Sequence, residues 1–295
     1  MKKNVAIIAA RLRYSENIRQ RKMNKFLISI MALLISATAM AQSYEQLVEK
    51  AEKCAKSDSL AKAEELYKEA LKQNPYKGSN ALVFSNLGKV QEAQGKNKEA
   101  LESYTYAVNM APSSVPLRLN RAGFYLQQNA LDKALLDYTY ALDINPKTKE
   151  ALLYRAYIYV RRREFDKAKR DYTELLAIEP NHYEGGLGMA LLNEKLGKRR
   201  EAIEQLTNML VVYPEKSELY QARAEIELAL EQNDMALLDV EQALKLSPDD
   251  AELYVFKAQI HLVMKNKTQA RADLDKAVSL GINRAQVADM YKRCK

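Results

Sequence analysis

Proline and alanine recur along this chain at a fixed interval, and that interval constrains the fold more than any other feature. Six of its seven prolines stand at Pro75, Pro112, Pro146, Pro180, Pro214 and Pro248; the first step is 37 residues and every later step is 34. Ala63, Ala100, Ala134, Ala168, Ala202, Ala236 and Ala270 keep the same steps. Twelve residues before each of these lies another small residue: Ala51, Gly88, Ala122, Ala156, Ala190, Ala224 and Ala258. Four residues after each lies a large one: Tyr67, Tyr104, Tyr138, Tyr172, Leu206, Val240 and Leu274. Self-similarity at such a period is the mark of a repeat array, which has no natural size limit.

The physical content of one period is two amphipathic helices of about 14 residues joined by a turn, each too short to be stable alone. Small residues let the two helices approach, and the large residue four later lies on the same face and fills the gap between them. Proline ends the second helix, because the residue before it is pushed out of the α region. Turns between the helices are marked by Gly95 and Gly197 and by Asn129, Asn233 and Asn266. Ala, Leu, Glu and Lys, all good helix formers, dominate the composition, so the expected fold class is all-α.

This pattern resembles the tetratricopeptide repeat family. In that register the seven repeats are 44–77, 81–114, 115–148, 149–182, 183–216, 217–250 and 251–282. The resemblance implies a right-handed α-solenoid of seven helical hairpins. A capping helix over 283–295 follows, with Asn283 as its N-cap and Gly281 in the turn before it. Three extra residues within Tyr76–Asn80 separate the first two repeats. Leu175, Met209 and Ile282 depart from the family pattern, where small residues and a proline are expected.

The net charge of +8 suggests a nucleic-acid partner, but its distribution argues against one. Residues 1–41 hold eight Lys/Arg (Lys2, Lys3, Arg11, Arg13, Arg19, Arg21, Lys22, Lys25) against Glu16 alone; 46 − 8 leaves 38 basic and 38 − 1 leaves 37 acidic groups beyond them. A body near neutrality has no electrostatic affinity for phosphate backbones, so no nucleic acid is expected. The basic segment reads as an export leader: Phe26–Ala39 is an apolar core, and Ala39-Met40-Ala41 places cleavage before Gln42. Met23 opens a compact signal of its own, leaving 1–22 as a segment upstream of a second candidate start. The alternatives are an uncleaved N-terminal anchor, the one route to a membrane, and a fortuitous apolar stretch in a cytoplasmic adaptor. The expected location is the periplasm or cell envelope. Cys54 and Cys294 stand at opposite ends of the array, too far apart to pair within one chain, and read as a packed thiol and an end-of-chain thiol, with a disulfide between two chains as the alternative.

No catalytic constellation, cofactor motif or metal spacing is present in the sequence. His182 and His261 are single, and Asp249-Asp250 and Glu64-Glu65 read as capping or solvated carboxylates. The chain is therefore expected not to be an enzyme and to need no cofactor. Within the repeats, a basic residue usually recurs with an Asp sixteen positions on: Arg121 with Asp137, Arg155 with Asp171, Arg223 with Asp239, Lys257 with Asp273, the one exception being Lys50 with Leu66. Where the first is apolar the second changes too, as in Leu87 with Ser103 and Met189 with Gln205. This correlation favours ion pairs bridging two helices over a ligand clamp. Gly185-Gly186-Leu187-Gly188 lacks the strand of a phosphate loop and reads either as relief of crowding or as a hinge.

The family resemblance further implies that the first helix of each repeat lines a concave groove. Carried onto this sequence, the central groove comprises Ser85, Asn86, Lys89, Leu119, Asn120, Gly123, Leu126, Leu153, Tyr154, Tyr157, Val160, Arg161 and Leu187. Any of these side chains can instead pack between repeats. Aromatic area, amides and a few cations suit an extended peptide or an amphipathic helix. Two readings follow: a scaffold holding a protein or peptide partner, and a regulatory or substrate-presenting subunit of an envelope enzyme.

Overall fold

A computed structural model describes residues 43–295. The leader expected at 1–41, with its cleavage point before Gln42, lies outside the described residues. The described chain forms two compact units, one ending at Gln127 and the other starting at Gln128, a division that falls inside the third repeat. The first unit contains α1 (43–56), α2 (Leu60–Gln73), α3 (Asn80–Ala93), α4 (Asn97–Met110) and α5 (Val115–Gln127). The second contains α6 (Leu131–Ile144), α7 (Lys149–Arg161), α8 (Phe165–Ile178), α9 (Tyr183–Lys195) and α10 (Arg199–Val212). It continues with α11 (Ser217–Ala229), α12 (Asn233–Leu246), α13 (Ala251–Val263), α14 (Lys267–Ser279) and α15 (Ala288–Arg293). No strand occurs among the described residues, and the fold is all-α, an array of stacked helical hairpins.

The repeated residues do what their spacing requires. Both alanine series, with Gly88 in its place, are buried, and the large residue four after each of the second series is buried beside them. At Gly88 the fit is tight: a Cβ there would stand 2.9 Å from the Tyr104 ring. The residues before the six periodic prolines, from Asn74 to Ser247, have φ between −127° and −139° and positive ψ, which ends each second helix. The seventh proline, Pro116, sits in the first turn of α5, where its missing N–H would have no intrahelical partner.

The turns within the hairpins are more uniform than their sequences. Positive φ falls at Asp58, Gly95, Asn129, Arg163, Gly197, Glu231 and Lys265, one residue per hairpin in a single register. Asn266 lies in its turn as expected, as the N-cap of α14, although Lys265 takes the left-handed position; Asn233 is past its turn and opens α12. The backbone closure, in which the residue after the left-handed one reaches back to a helix carbonyl, recurs as Lys96 to Gln91, Glu164 to Tyr159 and Lys198 to Asn193. Gly281 ends α14 as expected, with Ile282 N–H on the Ala277 carbonyl at 3.1 Å and its own N–H on Val278. Asn283 accepts the Ala285 N–H at 2.9 Å, but it caps a turn, and the regular helix α15 begins only at Ala288.

Arg155 grips Asp171 through two hydrogen bonds of 2.7 and 2.8 Å, and Arg223 grips Asp239 through two of 2.6 and 2.8 Å. Lys257 does not complete the series: it pairs with Glu241 at 3.1 Å, and Asp273 lies 3.6 Å from His261 instead. A lysine is a single point charge without the planar fork of arginine, so a nearby glutamate can capture it. Burial lowers the pKa of His261 and raises that of Asp273, favouring the neutral form of both. Glu64 also differs from its reading as a solvated carboxylate. It is buried on α2 and receives Lys68, Lys96, Gln91 and Gln94. Burial raises its pKa, but these four partners outweigh it and hold the value at about 2. Asp250 behaves as expected and caps α13 through the Glu252 and Leu253 N–H groups. Cys54 and Cys294 are both free and half-buried.

Candidate functional site

In the second unit, α7 and α9 flank a groove whose floor is Tyr172 of α8. Leu153, Tyr154, Tyr157, Val160 and Arg161 come from α7 and Leu187 from α9, so all six residues assigned to this stretch line one cavity of about 470 Å³. Their convergence follows from helix geometry: each set recurs at three or four residues and shares one face. Tyr154 stacks on Tyr138 with centroids 5.8 Å apart, and Arg161 Nη1 donates to the Tyr157 hydroxyl oxygen at 3.0 Å. Arg161 also reaches Asn129 Oδ1 at 3.4 Å, which orients the guanidinium at the mouth. Burial pushes the Tyr172 hydroxyl up to about 12, so the floor stays neutral.

The sequence reading missed two parts of this groove, Gly188 and Lys195. Gly188 provides the depth: a Cβ there would stand 2.6 Å from the Tyr172 ring and hydroxyl. Lys195 lies on α9 at the register position that Arg161 holds on α7, so the period itself marks it. Glu184 closes the opposite end of the α9 wall. The groove therefore has an apolar, aromatic centre, two cations at one end of its walls and a carboxylate at the other.

The first unit carries a counterpart of about 370 Å³ between α1 and α3, floored by Tyr67. Asn86 and Lys89 line it together with Glu52 and Lys56. Burial, helped by the charge of Glu52 and opposed by a hydrogen bond from Asn86, raises the Tyr67 hydroxyl to about 12. Ser85 is buried, and its Oγ accepts the Asn120 Nδ2–H at 2.8 Å, so this pair ties α3 to α5. Leu119 and Leu126 are half-buried on α5, and Gly123 has open space where a Cβ would stand. Neither of the two grooves is lined by any α5 residue.

The glycines of the fifth repeat are tightly surrounded. A Cβ at Gly185 would stand 2.8 Å from Leu175, and one at Gly186 would stand 2.8 Å from Met209 Sδ. The helix α9 runs unbroken through them, capped by His182 Nδ1 accepting the Gly185 N–H at 3.2 Å. Leu175 and Met209, the two departures from small residues, are the side chains these glycines accommodate. This supports relief of crowding as their role. Among the described residues no group of His, Cys, Asp and Glu is placed to hold a metal ion, and no helix is long and apolar enough to cross a membrane.

Sequence profiles of the tetratricopeptide repeat match residues 55–115, 85–149, 149–182 and 222–285. A solved tetratricopeptide repeat protein from Parabacteroides merdae ATCC 43184 is 32% identical to this chain, covers 86% of it and 99% of itself, and superposes with a TM-score of 0.67. PilF of Pseudomonas aeruginosa is 17% identical, with 75% of this chain and 99% of that one covered and a TM-score of 0.61. YrrB, described as having an unusual peptide-binding site, is 18% identical over 65% of this chain and 99% of its own, with a TM-score of 0.52. The last two likenesses are of fold alone. No curated protein matches the chain.

Proposed function

Because the chain belongs to the tetratricopeptide repeat family, we propose that it is a non-catalytic scaffold that holds a peptide or helix of a protein partner, in the periplasm or cell envelope. The observation that carries the reading is the convergence of Leu153, Tyr154, Tyr157, Arg161 and Leu187 over the neutral floor of Tyr172. Exposed tyrosines give contact area at low cost in side-chain entropy, and a guanidinium fixed by its neighbours is ready to meet a carboxylate. A ligand lying along this groove meets apolar walls in the middle and opposite charges at its two ends, which favours one direction of binding. YrrB, of like fold, is described as having a peptide-binding site, which supports peptide capture by this architecture. The location rests on the leader reading of residues 1–41.

The test is crosslinking and mass spectrometry of the envelope fraction, with the parent chain and with the double variant Tyr157→Ala/Arg161→Ala. Both residues are exposed, so the variant keeps its helical circular dichroism. It is expected to lose the crosslinked partner by tenfold or more; undiminished crosslinking by a folded variant overturns the groove as the site. N-terminal sequencing of the same fraction is expected to begin at Gln42. Recovery of an uncleaved chain in the cytosol overturns the location.

A further inference from the structure

Another face of α9, away from the groove over Tyr172, borders a second cavity. It lies against α10, has a volume of about 380 Å³, and is bounded at one end by the turn carrying Asn181 and His182. Its existence traces to two departures of the fifth repeat from its neighbours. Where the fourth and sixth repeats place Arg155 with Asp171 and Arg223 with Asp239, the fifth places Met189 and Gln205. Gln205 turns to the backbone, donating from Nε2 to the Gly186 carbonyl at 3.2 Å, and Gly186 contributes no side chain to fill the space.

The result is a lining with unmet hydrogen-bonding capacity. Asn193 is 8% exposed as a residue, and its amide opens to the cavity without a hydrogen bond to another of the described residues. On α10, Glu201, Glu204 and Asn208 line the same cavity, and neither carboxylate has an ion pair among the described residues. No lysine or arginine lines it. His182 borders the cavity as well, its Nδ1 accepting the Gly185 N–H.

Two carboxylates without an ion pair border the opening among amide side chains, and the volume suits a group of side-chain size. The complementary chemistry is a cation rich in N–H donors. An ammonium group satisfies the charge as a compact point, whereas a guanidinium spreads five donors in a plane and can address carboxylates and amide oxygens together. We propose that this cavity is a guanidinium-binding site, filled by an arginine of a partner protein or by a free small molecule of the same chemistry. The site is distinct from the groove over Tyr172 and does not depend on that groove's being occupied.

Side-chain amide resonances of the full-length chain, followed by NMR, test this directly. The probes are N-acetyl-arginine N-methylamide, agmatine, and N-acetyl-citrulline N-methylamide as the uncharged isostere. The Asn193 amide is expected to shift saturably with the arginine probe or agmatine and at least tenfold more weakly with citrulline. Tighter binding of capped arginine assigns the source to a partner's side chain; tighter binding of agmatine assigns it to a free small molecule. The variant Glu201→Gln/Glu204→Gln, altered only at exposed positions, should weaken binding at least tenfold. Asn193→Leu should remain folded and also lose binding, read there at the Gln205 and Asn208 side-chain amides. Absence of a saturable shift, equal binding of citrulline, or undiminished binding by the folded variants overturns the proposal.

Discussion

In the hairpin α7–α8 the guanidinium of Arg155 spans the two helices and holds Asp171 through two hydrogen bonds. In α9–α10 the same two positions hold Met189 and Gln205, and the helices meet over glycine instead. Ala156 and Ala190, and likewise Ala168 and Ala202, are fully buried at the same places in both hairpins. One backbone plan therefore tolerates either a charged brace or a cavity bordered by amides. The residues that set the helix spacing are shared, and those that set the chemistry between the helices are free to differ.

The brace is the place to break this comparison most severely. Arg155→Ala leaves the Asp171 carboxylate buried without its partner, and removing one half of such a pair costs about 3–5 kcal/mol. Urea denaturation of Arg155→Ala, Asp171→Asn and the double variant should show strong coupling; additive losses would mean that the pair contributes nothing as a pair. The corresponding change Met189→Ala in the fifth hairpin deletes apolar contact alone and should couple to nothing at Gln205.

The sixth hairpin sharpens the contrast, because Glu227 stands where the fifth has Asn193. Burial pushes Glu227 up to about 7, with Asp239 adding to the rise and Arg223 opposing it, and its Oε2 has no partner among the described residues. The sign follows from a folded value above the ordinary 4.5. The folded chain keeps a proton that the unfolded chain releases, so this contribution is fully present below pH 4.5 and is lost as pH rises through about 7. Glu227→Gln is accordingly expected to stabilise by about 1–3 kcal/mol at pH 8 and to change little at pH 4.5. Equal effects at both pH values would show that the carboxyl is ionised throughout.

Two smaller effects concern the backbone. Gly188→Ala gains helix propensity but drives a methyl into Tyr172, for a net loss of about 1–2 kcal/mol. Groove binding should weaken with it as the floor shifts; a neutral substitution would show the ring free to retreat. Arg163→Gly relieves a left-handed residue that carries a side chain and should stabilise by about 0.5–1 kcal/mol, read as a raised melting temperature. The same substitution at an exposed helical position such as Lys169 should destabilise instead.

What was legible in the sequence was whatever the period enforces. Ala156 and Tyr172 could be placed because every repeat must solve the same packing problem, and Arg155 with Asp171 because the pair changes together between repeats. Asn233 misled because asparagine tolerates left-handed backbone, whereas here the hairpin closure selects the position and Glu231 complies. Glu64 looked solvated because its four partners converge from α2, α3 and the start of α4, a gathering that no local pattern records. The guanidinium cavity had a signal in the Met189–Gln205 departure, but only the burial of Asn193 shows that the departure leaves a polar space. Lys195 was within reach, one period beyond Arg161.

The left-handed residue at the same point of all seven turns has a consequence for how such a chain can change length. Only two of the seven are glycine, so the connection is specified by main-chain hydrogen bonds rather than by a residue type. A copied or deleted segment bounded at these points rejoins helices in phase whatever side chains flank the junction. The cost at each joint is bounded by one residue's backbone preference, about 1–2 kcal/mol. The array is thus editable at its turns, and a new binding surface can be added by inserting a hairpin there without redesigning the ones already present.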